Sequence, residues 1–236
     1  RLRPAISPRF AISCSRELLR GAGDAARDLD LPIQTHLSET EQECEFVHAL
    51  FGEASYTSVY QNAGLLTPRT LAAHGIHLDD SERRILAEAD VTIAHCPTAN
   101  TFLRSGDMPL ARNLAAGVRV ALGSDVAGGP TPSMPLVART MIEAAWRSSD
   151  AVLTAARAWW QITRGNALAL GAEEGGVLRA GAFADLVLVQ PFAGVWPEPG
   201  RSWTDHPDPI GAMLFAWDPR WIRATIAAGV VRYRSS

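Results

Sequence analysis

The chain is predicted to be an α/β protein, a partial TIM-type (β/α) barrel with part of a small β-sandwich appendage at its C-terminal end. Three observations predict it. Over roughly the first 170 residues, short apolar runs alternate with stretches of helical spacing. That alternation implies parallel βαβ units. Each apolar run ends in a polar or ionisable residue, as strands do when their following loops open on one face of a barrel. After Gly171 the composition changes to short β-like runs and a Pro- and Trp-rich stretch.

The first unit pairs a short strand at Pro4 to Ser7 with Pro8-Arg9-Phe10 and a helix over Ser15 to Asp28, in spite of Gly21 and Gly23. Ile33 to Leu37 is the next strand. Ser38 followed by Glu41 fits a capping box that starts a helix toward Leu50. Thr70 to Ala73 is a third strand ending at His74-Gly75, before a helix over Asp80 to Ala89. Val91 to Ala94 ends at His95-Cys96-Pro97. Met108 to Ala116 is helical, with Gly117 closing it. Val118 to Leu122 is the most apolar strand and runs into Gly123-Ser124-Asp125. Helices follow over Pro135 to Ser148 and Thr154 to Leu170. Beyond them, Gly175 to Leu178 and Ala184 to Val189 read as a hairpin-like element. Pro191 to Pro209 reads as an aperiodic excursion, Ile210 to Phe215 as a helical turn, and Ile222 to Arg232 as two strands around Gly229. The boundary is placed at 1–170 for the barrel and 171–236 for the appendage.

Composition narrows the function. Of 236 residues, 47% are hydrophobic and 20% charged, with a net charge of −3. There is no basic footprint for nucleic acid. No apolar run reaches the ~20 residues of a membrane span, and no secretory signal is visible. Cys14, Cys44 and Cys96 are unclustered and odd in number. They argue for a reducing cytoplasm and against a disulfide framework or a thiolate zinc site.

The residues at the strand ends are Arg9, His36, His74, His95 and Asp125. A barrel brings such positions to one mouth, and imidazoles with a carboxylate suit a catalytic metal. His36 is read as a ligand, and Glu39, three residues on, as the carboxylate that moves protons beside it. Glu41 and Glu43 read as first-turn acids that suit the helix dipole. Arg9 and Phe10 offer a planar donor fork and an aromatic face for a flat heterocycle, or else a surface ion pair beside a core ring. Gly128-Gly129 could cradle a phosphate, although no Lys or Arg stands close by. His48, His77 and His206 are taken as structural or exposed.

Pro8-Arg9-Phe10, Ser13-Cys14-Ser15, His36-Leu37-Ser38-Glu39, Thr57-Ser58-Val59-Tyr60, Ala73-His74-Gly75, Ala94-His95-Cys96-Pro97 and Gly123 through Gly129 occur here in that order. They resemble the guanine deaminases of the amidohydrolase superfamily. Gly181 to Leu186 resembles the start of that superfamily's β-sandwich strand. The resemblance implies zinc bound by His36 and Asp125, with Glu39 as proton shuttle and Asp125 also activating water. It further implies that His74 orients the water or the tetrahedral intermediate, and that Arg9 and Phe10 meet the purine edge and face. The substrate-binding set is therefore Arg9, Phe10, His36, Glu39 and Asp125, and the catalytic set Glu39, His74 and Asp125. The implied protein is a cytoplasmic hydrolase of purine metabolism with a small-molecule purine substrate, a homodimer when full length.

An amidohydrolase draws two more zinc ligands from an HxH pair on its first barrel strand, and no HxH occurs in this sequence. The opening strand resembles the family's fourth, so residues 1–170 correspond to about strands four to eight. A full barrel takes about 250 residues. The expectation is an N-terminally truncated chain with an open barrel side, inactive or unstable alone. The alternatives are a related amidohydrolase acting on 8-oxoguanine or a triazine, or a non-catalytic remnant lacking the HxH ligands.

Overall fold

The structure, a computed structural model, describes residues 2–148, 153–191 and 205–235. Four parallel strands form one sheet: β1 (Ile33–Leu37), β2 (Thr70–His74), β3 (Thr92–His95) and β4 (Arg119–Leu122). Their order across the sheet is their order in the chain. Ile33 lies beside Thr70, Leu71 beside Thr92, and Thr92 beside Arg119. A doubly wound sheet would reverse strand order at a switch point, and none is present among the described strands. The stretch expected as a first strand is reduced to a single parallel bridge, Ile6 to Ile33. Gln34 N–H donates to Ile6 O at 2.9 Å, which sets that stretch on the outer side of β1.

The connecting helices form where caps and spacing demand. Helix α1 (Arg16–Asp28) starts at Ser15, whose side chain accepts from Leu18 N–H. It crosses the chain at Ala63 and Gly64 so closely that any Cβ on Gly23 would overlap the Ala63 carbonyl. Helices α2 (Glu41–Phe51) and α3 (Tyr56–Asn62) lie between β1 and β2. Helix α4 (Asp80–Glu88) opens on a capping box in which the Asp79 side chain and Glu82 bond each other's backbone. Helices α5 (Pro97–Leu103) and α6 (Leu110–Ala115) connect β3 to β4. The apolar faces meet in one core that includes Leu19, Ile33, Leu37, Leu65, Leu86, Ile93 and Ile142, all but removed from solvent.

The helix expected over Thr154 to Leu170 is interrupted. Helix α7 (Met134–Ser148) is followed by α8 (Ala155–Trp160), a π-helical turn at Gln161–Gly165, and α9 (Asn166–Ala169). The Gln161 amide donates to Val120 O at 2.9 Å. The Asn166 side chain accepts from Leu122 N–H at 2.9 Å and donates to Leu122 O at 2.8 Å. These amides satisfy backbone groups of β4 that have no strand partner. The expected open sheet edge is therefore covered on this side.

A second, antiparallel sheet joins β5 (Leu186–Val189), β6 (Ile222–Ala227) and β7 (Val230–Arg234). The expected strand at Gly175 to Leu178 does not form, and β5 pairs with β6 instead. Arg164 explains this, since its guanidinium donates to Glu173 O and Gly175 O and wraps the glycines around itself as a turn. Helix α10 (Pro209–Phe215) precedes β6. Most of the Pro- and Trp-rich excursion lies outside the described residues. Among the described residues, no helix is long and apolar enough to cross a membrane.

Candidate active site

The carboxyl ends of β1 to β4 carry the candidate residues, because parallel strands in chain order deliver each following loop to the same sheet edge. His36 is the fourth residue of β1. Its Nδ1 lies 2.7 Å from Arg9 O. A carbonyl only accepts, so Nδ1 carries the proton and Nε2 keeps its lone pair. The same carbonyl accepts from His36 N–H at 3.0 Å, fastening the Arg9 turn to the strand.

After Leu37 the chain turns sharply. Ser38 is buried at a φ of +50°, and its carbonyl accepts from both Ile76 and His77 N–H at 3.1 Å. Helix α2 therefore starts later than expected, with Thr40 as its cap accepting from Glu43 N–H at 3.1 Å. Ser38 is not the cap, because its left-handed backbone cannot lead into a helix directly. Glu39 sits in the turn between them. Its Oε1 accepts from Ser105 Oγ at 2.9 Å. Its Oε2 stands 3.5 Å from His74 Nε2.

His74 ends β2 at a φ of +75°, strained for a residue with a side chain, and is 1% exposed. Asn100 Oδ1 accepts from its Nδ1 at 2.9 Å, while Nε2 makes no hydrogen bond. The His36 and His74 rings stack at 28° with centroids 5.3 Å apart. The structure thus brings His36, Glu39 and His74 into one cluster. Phe10 stands 6.4 Å from the His36 ring, and the Arg9 guanidinium lies over Phe10 at 5.1 Å.

His95 ends β3, 1% exposed and with Nδ1 unpartnered. Burial depresses its pKa to about 3, so the ring is neutral. Asp125 lies in the loop after β4 at a φ of +46°. Burial first, and then the Asp125 charge with a smaller push from Glu39, raises the Cys96 thiol to about 12. Gly128 and Gly129 are not a phosphate cradle. Both N–H groups donate to Asp125 O, and a side chain on Gly128 would collide with the Asp125 carboxylate.

Zinc, implied by the resemblance, can be tested against these donors. A histidine whose Nδ1–H is held by a carbonyl presents Nε2 in the manner of a metal ligand, and His36 meets this condition. Asp125 offers a carboxylate on the same edge. Among the described residues, no group of three or more His, Cys, Asp or Glu could hold a metal ion. The residues present fit two donor positions, short of the three protein ligands of a catalytic zinc site.

Two residues escaped the sequence reading. Ser105 bonds Glu39 from 66 positions away, with no local motif to betray it. Glu43 stands in the first turn as the sequence predicts, yet it is buried, bonding Tyr56 Oη at 2.7 Å and Glu39 N–H at 3.1 Å. His77 bonds Ser105 O at 3.0 Å, a structural role as expected.

Residues 1–232 match the model of the amidohydrolase family. A curated relative, the probable guanine deaminase of Schizosaccharomyces pombe, is 47% identical over 137 residues, 58% of this chain and 26% of that protein. The solved E. coli guanine deaminase has a TM-score of 0.93 at 30% identity, covering 100% of this chain and 55% of that one. A zinc-bound structure described as an adenosine deaminase from Xanthomonas campestris has a TM-score of 0.85 at 27% identity, covering 97% of this chain and 51% of that one. The chain spans less than half the length of the first curated relatives it matches.

Proposed function

This chain belongs to the amidohydrolase family, and from that premise we propose that it carries out hydrolytic deamination of guanine to xanthine and ammonia. The observation that carries the reading is the Glu39 carboxylate. One oxygen is pinned by the Ser105 hydroxyl at 2.9 Å and the other faces His74 Nε2 at 3.5 Å, beside the His36 ring. A carboxylate fixed at a strand-end mouth is what a proton shuttle requires. Similarity to guanine deaminases supports guanine as the ring.

In this reading Arg9 donates to the purine edge and Phe10 packs against its face. His36 and Asp125 would hold two positions of a zinc ion, which would supply the Lewis acidity that makes water nucleophilic at neutral pH. Glu39 accepts a proton as water oxygen bonds the amino-bearing carbon, and passes it to the adjacent ring nitrogen. His74 orients the adding oxygen or the tetrahedral intermediate, and Asp125 helps to activate the water. Glu39 then takes the remaining proton from the added oxygen and delivers it to the amine, so that the carbon–nitrogen bond breaks as the carbonyl forms and ammonia leaves. The three free cysteines accord with a reducing cytoplasm, and the enzyme is read as a homodimer.

The test is ammonia release across guanine, 8-oxoguanine, adenine and a triazine, using the protein as its gene encodes it with zinc supplied. Guanine is expected to be the preferred substrate, and Glu39→Gln to lower kcat by about 10²–10⁴-fold. Preference for another ring, or an unimpaired E39Q variant, overturns the reading.

A further inference from the structure

We propose that Glu43 is a positioning residue for the deamination, which couples the proton-carrying Glu39 to the purine-facing Arg9–Phe10 turn through Tyr56. The inference rests on the guanine deaminase reading for its kinetic meaning, but its geometry stands apart from it. Glu43 belongs to the first turn of α2, where an acid ordinarily sits in solvent and answers the helix dipole. Here the residue is only 9% exposed. A carboxylate withdrawn from water is costly unless its oxygens are bonded, and both are. Oε2 accepts the Glu39 backbone N–H at 3.1 Å, and Oε1 accepts the Tyr56 hydroxyl at 2.7 Å.

Tyr56 extends the reach. Its Oη accepts the backbone N–H of Ala11 at 3.2 Å, the residue directly after Phe10. The neighbouring Tyr60 donates to His36 O at 2.8 Å, and Thr35 Oγ1 donates to Tyr60 Oη at 3.1 Å. One buried carboxylate thus fixes the backbone of the proton shuttle on one side. On the other side, through a single phenol, it fixes the turn that presents the arginine and the phenylalanine. Thr40 and Glu43 have capping-box spacing, but the arm to Glu39 N–H reaches one residue before the cap, and the arm to Tyr56 is no part of a capping box. The α2 cap is already supplied by Thr40, which accepts from Glu43 N–H.

The two arms can be cut separately. Tyr56→Phe removes the hydroxyl between Glu43 and Ala11 while leaving the carboxylate on Glu39 N–H. It is expected to raise KM for guanine at least fivefold with kcat within about twofold. Glu43→Gln keeps the shape but removes the charge, and it is expected to lower kcat at least tenfold with a smaller change in KM. Amide hydrogen exchange reads the geometry without turnover. Protection at Ala11 should fall in Y56F, and protection at Glu39 in E43Q, while core amides of β2 and β3 keep theirs.

If E43Q does not fold, Y56F decides the matter alone. Equal losses in kcat and KM for both variants, no loss in either, or unchanged Ala11 protection in Y56F overturn the inference. A wild-type enzyme that exchanges as expected but releases no ammonia from guanine overturns the deaminase reading instead.

Discussion

His95 shows how far burial alone governs a residue in this protein. It occupies a strand end like His36 and His74 and is as buried as His74, with Nδ1 unpartnered. Desolvation holds its pKa near 3, against 6.5 in the unfolded chain, with the nearby Asp107 opposing the shift and His74 adding to it. Between those values the unfolded state binds the proton that the folded state refuses. Stability from this group is complete above pH 6.5 and is lost as pH falls toward 3, at up to ~1.4 kcal/mol per pH unit. Replacing His95 by Gln should flatten that part of the profile relative to wild type, as followed by denaturant unfolding at a series of pH values. The same comparison shows what sequence could and could not reveal at this scale. His36, Glu39 and His74 were legible because a histidine at a strand end has few bland uses when it recurs on successive strands. His95 carries the same signature, but its Nδ1 lacks the hydrogen bond that fixes each of the other two rings. Ser105 and Glu43 were hidden because their roles depend on contacts that no local pattern encodes.

At the scale of elements, local chemistry explained most boundaries, and departures came where tertiary contacts overruled it. The capping box at Asp79, the cap at Ser15 and the closing glycine after α6 formed as their residue types require. The start of α2 moved because Ser38 turns left-handed to meet the β2 loop. The strand expected at Gly175 was lost to the Arg164 guanidinium. The two glycines of α1 separate propensity from packing. Gly21 is exposed with open space around its Cα, so Gly21→Ala should stabilise the protein by about 0.5–1 kcal/mol. Gly23 lies against the Ala63 carbonyl, so Gly23→Ala should destabilise it by about 1–3 kcal/mol through forced separation of α1 from the chain after α3. Paired denaturant melts of the two variants check both signs at once.

For the whole molecule, the parallel order of β1 to β4 was the best-anticipated feature, since alternating periods in a sequence leave few other topologies. Coverage of the β4 edge by Gln161 and Asn166 was not anticipated, because a side-chain amide substituting for a strand is invisible in hydropathy. Metal linkage belongs at this scale too. A ligand bound only by the folded state stabilises it by ~2.7 kcal/mol at a hundredfold excess over Kd. Zinc should therefore raise the Tm of the protein as its gene encodes it, a chelator should reverse the rise, and His36→Ala should abolish the response. Scanning calorimetry measures all three. The agreement between strand order and chain order also has a consequence for synthesis. A chain emerging from the ribosome can pair β1 with β2, and then β3 and β4, without waiting for any later segment. His36 and Glu39 emerge before His74, and Asp125 comes last. The mouth is thus assembled in the sequence of translation, and a pause before residue 125 would leave a nascent chain with Glu39 present and Asp125 still to come.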